Sequence, residues 1–404
     1  MRTLFVLVAI LVVAVTSYAV GRLQSRLVIE PRAEGWVGND ATAQAWQKLL
    51  VSVEDTVARV TEEDDADEAG LAYIADLVSA ALEMKVAGGD PQAPRFTDWM
   101  ASGRKFLGDS PDARYHSAEV SGRYRYRISG NRGGADYLGV MTYGRGLNGW
   151  NRAAASLSLA DLTIDDAGNF EIIASRTAPQ PAGAANWLPL EDDIHMIMVR
   201  QYFYAPENTR GARLKIERLD GQVGDAALAA ADRIENAAQF VTETFRGTRA
   251  LTEMLRAYPN NPEPPPSYNQ SFGGIFYPTH DNTYLGTWFK LADGEVLVVE
   301  GDVPDALYWS ASLQNRWLQS LASPAAALNN TQLHVEEGRY QLVVSAHDPG
   351  VPNWLDTGGA TEGLLAIRFL VEARKTKPPT MRIAELPLAV VPHHTFAAPL
   401  LTGR

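Results

Sequence analysis

The stretch HDPGVPNWLDTGG, residues 347–359, sets a histidine and two aspartates among prolines and glycines that favour turns. His347 offers an imidazole that titrates near neutral pH, and Asp348 offers a carboxylate, so the two are candidates for acid–base catalysis. Neighbours on an extended strand point to opposite faces, so only a turn at Pro349-Gly350 would bring them together. The plainer reading makes Asp348 a turn cap and His347 a strand end. A second acidic cluster, Asp109-Ser110-Pro111-Asp112 followed by Tyr115, lies just after Arg104 and Lys105. Asp109, Asp112 and Tyr115 are candidates to hold a sugar or a cation, and two such acids could also serve glycoside cleavage. Two Asx turns beside basic groups explain the same residues.

The segment ALYWSASLQNRW supplies the candidate binding face. Alternation along a strand places Tyr308, Ser310, Ser312 and Gln314 on one side and Trp309, Ala311 and Leu313 on the other. A face of tyrosine, serine and amide groups without charge suits a groove for hydroxyl- or amide-bearing ligands, with Arg316 and Trp317 at its end. Tyr284 and Trp288 add aromatic surface nearby, and Trp354 and Asp356 complete the candidate set. The sequence contains no nucleophile-elbow, phosphate-loop, zinc-protease or dinucleotide fingerprint, so no metal or cofactor is expected. The pair His393-His394 lacks an acid at ligand spacing and reads as surface histidines.

The composition narrows the class. Across 404 residues the net charge is −12, which argues against a nucleic-acid binder, since that needs a basic footprint. The absence of cysteine excludes disulfides, thiolate metal sites and thiol nucleophiles. Residues 1–21 place Arg2 before an almost unbroken apolar run from Leu4 to Val15, the pattern of a signal peptide or membrane anchor. Ser17-Tyr18-Ala19 offers a cleavage site. The body is accordingly expected outside the cytoplasm, in the periplasm or at the cell surface.

The elements that must position the candidates follow from periodicity. Helical spacing of Trp46, Leu49, Leu50, Val53, Val57 and Val60 predicts a helix over 42–60, and Leu71, Ile74, Leu77, Val78, Ala81 and Leu82 predict another over 71–86. The acidic run at 62–68 between them reads as a solvated connector. A helical N-terminal region therefore spans 40–118. A first β-rich lobe follows at 119–222, then a helical segment and proline-rich linker at 223–270. A second β-rich lobe occupies 271–390, and the tail from Ala373 is expected along the surface. The two lobes echo each other: YRISGNRGGADYLGVMTY, NFEIIAS and NWLPLEDDIHMIMVRQYF match LVVEGDVPDALYWSASL, YQLVVSA and NWLDTGGATEGLLAIRFL in order. Both final strands carry an arginine, Arg200 and Arg368. The pattern predicts a diverged duplication. It makes both NWL tripeptides structural corners, in which asparagine binds the turn backbone and tryptophan buries apolar area.

The segments FLGDSPDARYHSAEV, YRISGNRGGADY, NWLPLEDDIHMIMVRQYF, YWSASLQNRWLQSL and DPGVPNWLDTGG resemble those of the DUF1214 family, a mostly bacterial family of unknown function. The resemblance runs from about Trp46 to Pro387, with the second lobe as its DUF1214-like part. It implies a largely antiparallel β fold of sandwich or jelly-roll type with accessory helices, in agreement with the strand pattern. The expected class is therefore α+β, mainly β, with N-terminal and central helices. The expected function is binding of a glycan- or lipid-like small molecule at the cell envelope. The alternatives are a hydrolase or lyase using the Asp and His candidates, or an envelope scaffold without a ligand.

Overall fold

A computed structural model of the protein describes residues 40–62, 68–101, 103–146, 151–181, 183, 186–221, 227–261, 277, 279–303, 305–370 and 381–393. The apolar segment 1–21, most of the acidic run, most of the proline-rich linker and His394 lie outside the described residues. Among the described residues no helix is long and apolar enough to cross a membrane. Residues 45–404 cluster as one unit.

Within that unit two β-sandwiches follow one another along the chain. The first lobe contains β1 (Thr97–Asp98), β2 (Ala113–Glu119), β3 (Tyr126–Asn131), β4 (Tyr137–Arg145), β5 (Asn151–Ser158), β6 (Asn169–Ser175), β7 (Asn186–Pro189), β8 (Met196–Tyr202) and β9 (Arg213–Arg218). One sheet has the order β1-β2-β8-β4-β5 and the other β7-β6-β3-β9. The second lobe contains β10 (Asn282–Lys290), β11 (Glu295–Asp302), β12 (Tyr308–Gln314), β13 (Ala327–Asn329), β14 (Val335–Glu336), β15 (Arg339–Ser345), β16 (Trp354–Asp356), β17 (Glu362–Leu370) and β18 (Met381–Pro387). Its sheets run β10-β17-β12-β13 and β14-β15-β11-β18, with β16 beside β15.

The duplication is visible strand by strand. β4 pairs with β5 and β8, as β12 pairs with β13 and β17. β3 lies between β6 and β9, as β11 lies between β15 and β18. In each lobe one short strand is parallel to its neighbour, β7 to β6 and β16 to β15. Alternation fills both sandwiches: Leu138, Val140, Ile197 and Val199 meet Ile128, Ile172 and Leu188 in the first. Trp309, Ala311, Leu313, Leu365 and Ile367 meet Leu297, Leu342 and Leu355 in the second. The chain beyond Ala373 does not simply cross the surface. Met381–Pro387 pairs with β11, because the unused edge of that strand offers backbone donors and acceptors.

The NWL corners behave as equivalents. Asn186 Nδ2 donates to the carbonyls of Thr163 and Glu171, and Asn353 Nδ2 donates to those of His334 and Gln341. Each side-chain oxygen accepts from a backbone amide, of Thr163 and His334 respectively. The indole of Trp187 donates to the Ser175 carbonyl (3.1 Å) and that of Trp354 to the Ser345 carbonyl (3.2 Å). The apolar anchor is the leucine rather than the tryptophan: Leu188 and Leu355 are fully buried, while both tryptophans keep part of their surface open.

Three helices cover the remaining face of the sheets. They are α1 (Ala41–Thr61), α2 (Glu68–Ala81), extended by a π-helical turn at Leu82–Ala87, and α3 (Ala230–Arg256). Ile234, Ala237, Phe240, Val241 and Phe245 of α3 pack with Tyr73, Ile74 and Leu77 of α2 against Met141, Tyr143, Met196 and Met198 of the first lobe. Farther along α3, Leu251 and Leu255 pack on Trp288, Leu364 and Ala366 of the second. One helix therefore lies across both lobes. The helices leave part of each inner sheet uncovered, and there the two lobes meet.

Candidate functional site

The repeat puts chemically alike residues in equivalent rows. In the first lobe Tyr115 of β2, Arg200 of β8 and Gly139 of β4 stand side by side. In the second, Tyr284 of β10, Arg368 of β17 and Ser310 of β12 do the same. The next row holds Ala113, Tyr202 and Tyr137 in one lobe and Asn282, Leu370 and Tyr308 in the other. Immediately before β2 and β10 stand Asp112 and Asp281. A Cβ at Gly139 would come within 2.6 Å of the Tyr137 hydroxyl, and Ser310 occupies the equivalent place in the second lobe.

These rows form a seam between the lobes. The rings of Tyr202 and Tyr308 stack at 4.8 Å, and Ala113, Tyr137 and Leu370 close around them. Each lobe donates to the other: the Tyr137 hydroxyl donates to Asp281, and the Tyr308 hydroxyl donates to Asp112 Oδ2 at 2.8 Å. Equivalent tyrosines thus bind equivalent aspartates across the seam, and the exchange is reciprocal.

The charges are not symmetric. Arg200, only 2% exposed, donates from Nη2 to Asp281 Oδ1 at 3.0 Å. Burial works to raise the Asp281 pKa, but Arg200 and the hydrogen bonds outweigh it and hold the carboxyl below its usual range. Arg368, 9% exposed, donates from Nη2 to the carbonyl of Gly108 at 3.2 Å, and its guanidinium lies 5.3 Å from the centre of the Tyr284 ring. Asp112, which corresponds to Asp281, is engaged by Tyr308 and Asn329, and burial pushes its pKa up. Nε and Nη1 of Arg200 and Nε of Arg368 are buried without a protein acceptor.

Tyr115 and Tyr284 keep part of their surface accessible. Both phenols have pKa values raised chiefly by burial, opposed by Arg368. The two guanidiniums and the Tyr115, Tyr202 and Tyr284 phenols influence one another electrostatically, so they surround a common region. Among the described residues no group of three or more His, Asp or Glu is arranged to hold a metal ion.

Of the residues singled out in the sequence, Tyr308, Ser310, Asp112 and Tyr115 come together in the seam. Ser312 and Gln314 continue the same face of β12 and are buried. Asp109 is buried beside the seam loop, accepting from the Ser320 amide (2.9 Å) and hydroxyl (2.6 Å), with its pKa raised by burial. Trp317 belongs to the helical core, stacked on Tyr73 at 5.1 Å, and the guanidinium of Arg316 lies 5.0 Å from its ring. The HDPGVPNWLDTGG residues sit on the other sheet of the second sandwich. His347 and Asp348 are exposed, and Asp348 Oδ1 accepts from the Gly350 amide at 2.7 Å, a turn-forming bond. Asp356 likewise accepts from the Gly358 amide (2.8 Å) and the Ser323 hydroxyl (2.6 Å). Tyr137, Tyr202 and Asp281 were missed as site residues, and Arg200 and Arg368 were noticed only as marks of the repeat. Aligning PDARY at 111–115 with HDNTY at 280–284 would have found the Asp–Tyr pairs.

The fold and seam define a two-lobed β-sandwich protein with a buried Tyr–Arg–Asp cluster between the repeats. Residues 113–208 match DUF1214, described as a protein of unknown function. The matched segment is the first lobe, although the second was expected to carry it, and both lobes share its topology. The crystal structure of an uncharacterised protein from Burkholderia cenocepacia is similar, with TM-score 0.77, 29% identity, and coverage of 87% of this chain and all of that one. The VPA0106 protein from Vibrio parahaemolyticus is a more distant match, with TM-score 0.43, 11% identity, and coverage of 78% of this chain and 97% of that one. No curated protein matches the chain.

Proposed function

We propose that the protein binds a small polar ligand in the seam between its lobes, and that it does so at the cell envelope, exported or anchored through residues 1–21. The observation that carries this reading is the pair of equivalent tyrosines, Tyr115 and Tyr284, which are desolvated yet accessible. Proteins fill their interiors closely, and space lined by phenols and guanidiniums is suited to a partner with matching polar groups. Between the glycan-like and lipid-like ligands expected from the sequence, this lining favours the polar one, since an acyl chain would leave the guanidinium donors unsatisfied.

Native mass spectrometry of the full chain purified from its source organism tests the reading, with Tyr284→Ala run beside it. A retained small molecule that the variant loses supports a ligand in the seam. A molecule retained equally by both places the ligand elsewhere and sinks the proposal. The acid–base reading keeps one supporting observation, the raised pKa of Asp112 beside the Tyr308 hydroxyl. Asp112→Asn would abolish any hydrolase or lyase activity that depends on it.

A further inference from the structure

We propose that the ligand of the seam carries a carboxylate and that Arg368 is the residue that holds it, an assignment that rests on the seam being a ligand site. The argument is the broken symmetry of the two repeats. Arg200 and Arg368 occupy the same row of the same strand, each beside an equivalent tyrosine. Arg200 has a carboxylate in contact, Asp281 at 3.0 Å. The equivalent carboxylate, Asp112, is taken by Tyr308, and Arg368 reaches a carbonyl instead. Among the described residues Arg368 forms no ion pair, although it is more than nine-tenths buried.

A buried guanidinium with no carboxylate in contact is costly, and a neutral carbonyl offsets only part of that cost. An anion entering the seam would supply what Asp281 supplies to Arg200. Nε of Arg368 is buried without a protein acceptor, and so are Nε and Nη1 of Arg200. Guanidinium forks match the spacing of carboxylate oxygens and bind them with charge-assisted bonds. One guanidinium without a carboxylate in contact has room for one negative charge, which favours a carboxylate over a phosphate dianion. Burial raises the Asp112 pKa although Arg368 works to lower it, so Asp112 lies within electrostatic reach of Arg368 without an ion-pair contact. The flat phenol rings of Tyr202 and Tyr284 on which Arg368 lies, with centroids at 5.9 and 5.3 Å, give a planar acid an aromatic wall.

Calorimetric titration of the full chain with benzoate, benzamide, inorganic phosphate and phenyl glucoside separates the possibilities. Benzoate is expected to bind, its neutral isostere benzamide to bind at least about tenfold more weakly, and phosphate not to compete. Arg368→Gln is expected to lose benzoate affinity by at least about tenfold while keeping the circular dichroism spectrum of the parent. If that variant does not fold, the benzoate–benzamide comparison on the unaltered protein still decides. Equal affinity for benzoate and benzamide, preference for phosphate, or undiminished benzoate binding by Arg368→Gln overturns the carboxylate assignment and leaves a ligand in the seam standing. Failure of all four probes, together with no retained molecule in native mass spectrometry, overturns both.

Discussion

The Arg200–Asp281 pair joins the lobes, and its strength can be worked out from its surroundings. Asp281→Asn keeps the shape but removes the charge that faces a guanidinium only 2% exposed. Breaking a buried pair by removing one partner costs about 3–5 kcal/mol. The Asp281 side chain is itself 24% exposed, so the lower end applies, about 3 kcal/mol. Arg200→Met leaves the carboxylate partly solvated and still bonded by Tyr137, for a cost of about 2 kcal/mol. The double variant buries no unpaired charge, and an apolar side chain fills the place of the guanidinium, so its cost should be about 2 kcal/mol instead of the sum. The expected coupling is therefore about 3 kcal/mol. Urea unfolding followed by tryptophan fluorescence measures it, as shifts in midpoint at constant m-value. Additive single effects, within about 0.5 kcal/mol, would show that the pair is not coupled and refute the account of the seam. The pH dependence has a defined sign: the Asp281 pKa is lowered on folding, so its contribution is full above the unfolded carboxylate pKa and is lost as pH falls through the folded value.

Three further predictions follow from other parts of the molecule. Leu188→Ala and Leu355→Ala should each cost about 2–5 kcal/mol, and by similar amounts, because both leucines fill the same corner of equivalent sandwiches; a difference larger than that range in chemical denaturation would contradict the equivalence. Burial lowers the His195 pKa to about 4, so the folded protein keeps the imidazole neutral where the unfolded chain protonates it. Stability should then fall by about 2–3 kcal/mol as pH drops from about 6.5 towards 4, and His195→Gln should flatten that slope in a pH series of denaturation curves. His347→Ala and Asp348→Asn alter exposed turn residues, so both variants should keep the melting temperature and the ligand of the parent protein. Loss of the ligand in either would return the HDPGVPNWLDTGG corner to the centre of the function.

Much of the architecture was legible because it is local. The periodicity that predicted helices over 42–60 and 71–86 reappears in Ala41–Thr61 and in Glu68–Ala81 with its π-helical extension. Period-two alternation in YWSASLQ separated Trp309, Ala311 and Leu313 from the polar face, and in the fold these three fill the sandwich core; the asparagines of the NWL corners bind backbone as their type suggests. What alternation cannot reveal is what covers the other face. Tyr308, Ser310, Ser312 and Gln314 look like an open polar groove when β12 is considered alone. In the fold that face is buried, with Tyr308 directly against the first lobe. Non-local pairing also explains the C-terminal strand: nothing in MRIAELP announces that the edge of β11 is free to receive it. The seam was hidden for the same reason, since Tyr137 and Asp281 are 144 positions apart and neither looks unusual in its own segment.

The reciprocal bonds across the seam have a consequence for assembly. Each repeat carries both halves of one contact, a tyrosine that donates and an aspartate that accepts. Two identical copies of either repeat would therefore satisfy one another about a twofold axis, as the halves of an isologous homodimer do. Such a dimer must make both contacts alike, because any substitution enters both halves at once. Joining the repeats in one chain lifts that constraint. One arginine can keep an internal carboxylate while its counterpart goes without, a division of roles open to a fused chain and closed to a symmetric pair.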